Sequence, residues 1–192
     1  MARLGVLGGT FDPIHNGHLG AAHHVARMCG LDGVMFVPAG DPYQKGRTFA
    51  SAEDRVAMTT LAIQSEPTFS LSRVDVDRGG PTYTVDTLAD LSLTHPHDEL
   101  VVILGADAFA GLDTWREPER IWARAVIAVM ARPGVEVRNP GVPLDRLIVV
   151  EGEEFDVSST QIRERVSRNE SIQDLVPAVV AEYIERKQLY RA

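Results

Sequence analysis

An α/β fold is predicted for this chain: a doubly wound (Rossmann-like) parallel sheet with helices on both faces, built as a single domain over residues 1–192. Three observations carry that expectation. Several apolar runs are continuous rather than alternating, as in strands buried on both faces. Helix-like stretches lie between those runs, and strand–helix alternation closes a parallel sheet through crossovers. No Ser/Gly-rich linker, internal repeat or low-complexity segment divides the 192 residues, a length that can bury one sizeable core.

The elements follow in order. A first strand is read over 4–7, running into a glycine turn over 8–18 and then a helix over 19–29. Residues 34–37, Val-Met-Phe-Val, form the next strand. Over 51–64 the run opens with Ser51 as N-cap and Glu53 and Asp54 in the first turn, then presents Val56, Met58, Leu61 and Ile63. A helix over 84–93 places Val85, Leu88 and Leu91 at three-residue steps. Strands are expected at 100–104, 125–130 and 147–150, with a short proline-initiated helix over 118–124. Helices over 159–167 and 175–188 complete the chain. In such a sheet, ligands bind beyond the carboxyl ends of the strands, near the switch in strand order. The turns carrying Gly8 to His18, Gly105-Ala106-Asp107 and Arg132-Pro133-Gly134 should therefore face one cleft.

Gly8-Gly9-Thr10-Phe11-Asp12-Pro13-Ile14-His15-Asn16-Gly17-His18 is the most informative stretch. Glycines let backbone approach a ligand closely, and a helix N-terminus offers N–H groups and positive dipole to an anion. Two imidazoles beside such a nest suit a phosphate whose charge grows during reaction. Other nucleotide and metal motifs are absent. There is no G-x-x-x-x-G-K-[ST], no G-x-G-x-x-G after the first strand and no H-E-x-x-H. No cluster reads as a dedicated metal cage. His23 and His24, further along the same helix, read as surface or packing residues.

Composition narrows the partners. A formal charge of −8 argues against a general nucleic-acid binder but not against a nucleotide, because local fields decide that. Lys45, Arg47, Arg132, Arg163 and Arg165 are the candidates for a local positive patch, the remaining basic residues being read mostly as surface solvation. No apolar run approaches the roughly 18 residues of a membrane span, and Met1-Ala2-Arg3 leads straight into a strand rather than a signal peptide. One cysteine, Cys29, cannot form an internal disulfide, so a reducing cytoplasm is expected. Cys29 itself reads as packing.

A second constellation stands near the C-terminus: Val157-Ser158-Ser159-Thr160-Gln161-Ile162-Arg163. Hydroxyl donors at a helix start, followed one turn later by a forked guanidinium, would hold a di- or triphosphate tail. Serine and threonine are equally the ordinary N-cap choices.

The opening motif resembles the (T/G)-x-F-D-P-x-H-x-G-H signature of the nucleotidyltransferase superfamily of adenylyl- and cytidylyltransferases. The C-terminal set is similar to the [ST]-[ST]-T-x-[IL]-R element that this superfamily places opposite its H-x-G-H. Between them, Gly79-Gly80-Pro81-Thr82-Tyr83-Thr84-Val85-Asp86-Thr87-Leu88 resembles the G-x-x-[ST]-Y-T-x-x-T-L segment of bacterial nicotinate-nucleotide adenylyltransferases. Gly105-Ala106-Asp107 with Trp115 downstream resembles that family's G-x-D and tryptophan. Val37 to Lys45 is similar to its P-P-H-K loop, but Gln44 stands where histidine is common and Tyr43 where proline is. Gln44 carries no positive charge, so a phosphate contact there would fall to Lys45 or Arg47.

The resemblance covers nearly the whole chain and implies a reaction: transfer of AMP from ATP to nicotinate mononucleotide, giving nicotinate adenine dinucleotide and pyrophosphate in NAD biosynthesis. It implies His15, His18, Lys45 and Arg163 as catalytic groups. For ATP it implies Gly8, Gly9, Thr10, Phe11, Gly105, Asp107, Arg132, Ser159 and Thr160 besides the histidines and Arg163. For the pyridine nucleotide it implies Lys45, Tyr83, Thr84, Asp107 and Trp115, an indole face for the ring and hydroxyl or N–H donors for its carboxylate. Mg2+ is implied as a companion of ATP, held by phosphate oxygens and waters. Neither nucleic acid nor membrane is an expected partner, and a homo-oligomer is compatible with these features. A phosphopantetheine adenylyltransferase shares both outer motifs but is usually shorter and lacks the Pro81 to Thr84 element; a cytidylyltransferase ranks lower. A non-catalytic module sensing ATP or a dinucleotide would not need both histidines together with Arg163.

Overall fold

Among the described residues, six strands build one all-parallel sheet in the order β3-β2-β1-β4-β5-β6. The computed structural model describes residues 1–42, 48–131, 137–152 and 155–191. The strands are β1 (Arg3–Gly9), β2 (Gly33–Pro38), β3 (Phe69–Leu71), β4 (Glu99–Gly105), β5 (Ala125–Ala131) and β6 (Leu147–Glu151). The helices are α1 (Asn16–Cys29), α2 (Ala52–Ile63), α3 (Val74–Arg78), α4 (Thr84–Thr94), α5 (Ala106–Ala110), α6 (Pro118–Trp122), α7 (Ser159–Ser167) and α8 (Ala178–Lys187).

The expected doubly wound sheet is what forms, and its central strands explain why their sequences do not alternate. Within β4, Val101 and Ile103 join one core, while Leu100, Val102 and Leu104 join another on the opposite face. The first core takes Val25 from α1, Met58 from α2, Ile162 from α7 and Val180 from α8. The second takes Leu88 and Leu91 from α4, Phe109 from α5 and Ile121 from α6. Fully burying each such side chain contributes about 1.5–3 kcal/mol. Cys29 is buried in the first core, and burial pushes its thiol above the ordinary value, which fits packing rather than reactivity.

Strand order reverses between β1 and β4, which pair side by side although most of the first half of the chain separates them. The carboxyl ends there are Gly8-Gly9 and Gly105, so the crevice expected at a switch point opens over these glycines.

Three elements lie outside the sequence reading. β3 is only three residues long, and α3 and α5 five each, too short for a period to register. The reading also began α1 three residues late. His15 takes an extended backbone (φ −150, ψ 170) as N-cap, so Asn16, Gly17 and His18 form the helix's first turn rather than a preceding loop.

Candidate active site

The β1–α1 turn is braced before it binds anything. Arg55 of α2, 0 % exposed, donates from Nη1 to the Thr10 carbonyl at 2.7 Å and from Nη2 to the Gly40 carbonyl at 3.0 Å. Burial lowers its pKa, and the charge of the neighbouring Asp12 works against that shift. Arg55 is a buried strut, an exception among the basic residues outside the candidate patch, which are read mostly as surface solvation. Phe11 turns back at φ 48 and buries its ring. A Cβ on Gly9 would meet that ring at 2.8 Å, so only glycine fits there.

Asp12 is the second brace, and the sequence reading gave it no role. Its carboxylate is buried and accepts the N–H groups of Phe49 (2.7 Å) and Ala50 (3.1 Å) and the hydroxyl of Tyr190 (2.7 Å). Burial first, then the Asp12 charge, holds the Tyr190 phenol far above its usual pKa, so it stays a donor. No local pattern could have signalled these bonds, which span 37 and 178 residues.

The two histidines stack, with ring centroids 3.6 Å apart. The His15 N–H donates to Nδ1 of His18 at 3.3 Å, which places the His18 proton on Nε2. The edge of the pair meets Phe11, 5.0 Å from His18 at 85°. His23 and His24 are used in packing: His23 pairs with Glu66 and lies 4.4 Å from the Phe69 ring, and His24 bonds the Glu151 carbonyl at 2.6 Å.

From the far end of the chain, α7 returns to this turn. Ser158 is its N-cap, accepting from the Gln161 N–H at 3.2 Å. Ser159 donates to the Pro13 carbonyl at 2.9 Å. Arg163 donates from Nη1 to the Asp12 carbonyl at 2.7 Å and from Nη2 to the Thr160 hydroxyl at 3.1 Å. Its guanidinium also covers the Phe49 ring at 4.4 Å.

These groups surround one cavity of about 570 Å³, lined by Thr10, His15, His18, Gly105, Ser159, Thr160 and Arg163 among others. Two further cavities adjoin it. One shares His15, His18 and Gly105 and extends past Leu7, Ala21, Asp107, Met130 and Phe155. Apolar walls together with the carboxylates of Asp107 and Asp156 suit a nucleoside, a carboxylate serving the ribose hydroxyls. A Cβ on Gly20 would collide with the Phe155 ring, so that glycine lets α1 pass beneath the wall. The other cavity shares Thr10 and is lined by Gly8, Gly9, Thr82, Thr84, Thr87 and Trp115. It offers an indole face beside the start of α4, which suits a flat heteroaromatic ring bearing an anionic group.

The wall of that third cavity holds Asp75, 3 % exposed, which accepts from Thr87 (2.7 Å) and Arg78 (2.8 Å). Burial raises its pKa, and the bonds from Thr87 and Arg78 pull against that shift. Sequence reading missed it because α3 was not foreseen.

Tyr83 is not among the lining residues. Its carbonyl receives the first N–H groups of α4, and its ring packs under the Arg116 guanidinium at 4.8 Å. Tyr83 thus starts α4, the helix at whose first turn its backbone or hydroxyl contact with the pyridine nucleotide is expected. Lys45 and Arg132, with Gln44 and Arg47, lie outside the described residues. Among the described residues no group of three or more His, Cys, Asp or Glu side chains could hold a metal ion.

The chain is similar to known proteins over nearly its whole length. Residues 6–165 match the family model described as cytidylyltransferase-like. The chain is 51% identical over 191 residues to a probable nicotinate-nucleotide adenylyltransferase of Corynebacterium kroppenstedtii, covering 98% of this chain and 90% of that one. Proteins of the same name from Streptomyces coelicolor (47% over 186 residues; 96% and 99% covered) and Mycobacterium tuberculosis (46% over 194 residues; 97% and 91% covered) are similarly related. Among solved structures, a Plasmodium falciparum nicotinic acid mononucleotide adenylyltransferase complexed with NaAD superposes with a TM-score of 0.78 at 20% identity, covering 99% of this chain and 98% of that one. A putative nicotinate-nucleotide adenylyltransferase from Vibrio parahaemolyticus gives 0.72 at 16%, covering 100% and 96%. At those identities the structures show a shared fold.

Proposed function

The chain belongs to the cytidylyltransferase-like family and, within it, to the nicotinate-nucleotide adenylyltransferases, and from that premise we propose how its own residues carry the reaction. The enzyme transfers AMP from ATP to nicotinate mononucleotide, releasing pyrophosphate and forming nicotinate adenine dinucleotide for NAD biosynthesis. The relatives' names carry that activity. The observation that carries the mechanism is the single cavity shared by His15, His18, Thr160 and Arg163, flanked by one pocket for each nucleoside.

The attacking phosphate is already an anion near neutral pH, with a second pKa of about 6 by analogy with phosphorylated side chains. It forms a bond to the α-phosphorus of ATP while the bond from that phosphorus to the bridging oxygen breaks. No side-chain nucleophile is needed, so the protein's contribution is alignment and charge stabilisation. His18 donates from Nε2 to the α-phosphate as charge develops, with His15 beside it. Thr160 and Arg163 hold the departing pyrophosphate. Two of the five guanidinium donors of Arg163 are committed to Asp12 and Thr160, which fixes the plane from which the others reach phosphate. Backbone at Gly9-Thr10-Phe11 lines the path between the substrates. Lys45 and Arg132 are proposed phosphate ligands on sequence grounds, Lys45 bridging the two substrates. Trp115 and Thr84 take the pyridine ring and its carboxylate. Magnesium enters as part of the substrate, on the phosphate oxygens of ATP.

No helix among the described residues is long and apolar enough to cross a membrane. A cytoplasmic location belongs to the same proposal, supported by the lone buried Cys29. A homo-oligomer remains compatible with a site whose residues come from one chain.

Incubation with ATP and either nicotinate mononucleotide, nicotinamide mononucleotide or phosphopantetheine, followed by pyrophosphate detection, tests the substrate. Release is expected with the nicotinate compound. Faster release with phosphopantetheine would overturn the reading.

A further inference from the structure

We propose that Phe49 is a positioning residue whose ring sets the plane of the Arg163 guanidinium toward the leaving pyrophosphate, an inference that rests on the role given to Arg163 above. The first observation is an exposed phenyl ring: Phe49 is 69 % exposed, beside a cavity lined otherwise mainly by polar groups. Its ring lies 4.4 Å from the Arg163 guanidinium carbon, within the range at which a cation is drawn to an aromatic face.

The second observation is how both partners of that stack are held. The carboxylate of Asp12 accepts the Phe49 N–H at 2.7 Å, and the carbonyl of the same residue accepts Arg163 Nη1 at 2.7 Å. One residue thus holds the Phe49 backbone and the Arg163 guanidinium relative to each other. Asp12 is itself fixed, because its Oδ1 also takes the Tyr190 hydroxyl at 2.7 Å and the Ala50 N–H at 3.1 Å. Arginine has many rotamers, and ordering them at the moment of binding costs affinity. A ring already covering one guanidinium face removes that cost and shields the charge from water, while the N–H edge stays in the phosphate cavity. Apolar bulk alone would not do this. The attraction needs the negative face of an aromatic ring, so leucine at position 49 should not substitute and tyrosine or tryptophan should.

The test uses the reverse reaction, in which pyrophosphate and nicotinate adenine dinucleotide regenerate ATP. Phe49→Ala and Phe49→Leu are expected to raise the KM for pyrophosphate about 3- to 30-fold and to leave the KM for the dinucleotide close to wild type, with Phe49→Tyr and Phe49→Trp restoring the wild-type value. Phe49→Leu matching Phe49→Tyr, or both KM values shifting together, would overturn the proposal, since either marks simple packing. Arg163→Ala is measured alongside. If Arg163→Ala raises the pyrophosphate KM and Phe49→Ala does not, this inference fails while the role of Arg163 stands. If Arg163→Ala leaves that KM unchanged, the role of Arg163 fails first.

Discussion

The chemistry at His18 turns on which ring nitrogen carries the proton. The His15 N–H, 3.3 Å from Nδ1, assigns it to Nε2, and the stack on His15 with the edge contact to Phe11 fixes the ring's orientation. A donor set in advance where charge will develop needs no reorganisation during reaction. His18→Ala should therefore lower kcat about 10²-fold or more, with the fold retained by circular dichroism. Near-normal kcat in that variant would remove the imidazole from the mechanism. His15, His18, Thr160 and Arg163 could all be picked out from the chain, because each lies in a short local pattern of residue types. Asp12 and Arg55 could not be given their roles in that way. Their bonds run to Phe49, Tyr190, Thr10 and Gly40, and a buried strut and a surface arginine look alike until the chain is folded.

Among the elements, α2 shows how a local signal becomes stability. Ser51 accepts from the Asp54 N–H at 3.1 Å and donates to Asp54 Oδ2 at 2.6 Å, while the Tyr183 hydroxyl reaches Asp54 Oδ1 at 2.9 Å. The Ser51 bond foremost, with help from Tyr183 and against some desolvation, holds the Asp54 carboxyl below its ordinary value of 3.8. A depressed folded-state value means that the charged form is favoured by folding. Its stabilisation is therefore present above the unfolded value and is lost as pH falls through the folded one. Ser51→Ala should cost about 1 kcal/mol at neutral pH, and the gap to wild type in urea melts should narrow below about pH 4. An equal gap at pH 7 and pH 3 would show that the ion is not involved. The helix over 51–64 was legible because its cap and first turn are written in residue types. By contrast, β3, α3 and α5 owe their existence to neighbours: the strand pairs with β2 through three residues only, and such short pieces have no stability of their own.

At the scale of the whole molecule, the site is a product of topology. The strand order β3-β2-β1-β4-β5-β6 brings the ends of β1 and β4 together, and α7 then returns across the sheet so that Arg163 meets Asp12 over a separation of 151 residues. The alternation of apolar runs and helices was enough to foresee the sheet, and the switch-point rule was enough to place Gly8, Gly9 and Gly105 at one crevice. Which residues would brace that crevice depended on crossings that no single segment encodes. The most direct test is a crystal structure with a non-hydrolysable ATP analogue and nicotinate mononucleotide bound. His18 Nε2 and the Arg163 guanidinium should both lie within about 3.2 Å of oxygens on one triphosphate, with the pyridine ring on Trp115. A triphosphate contacting only one of the two groups, or lying in another cavity, would contradict their convergence on a single polyphosphate.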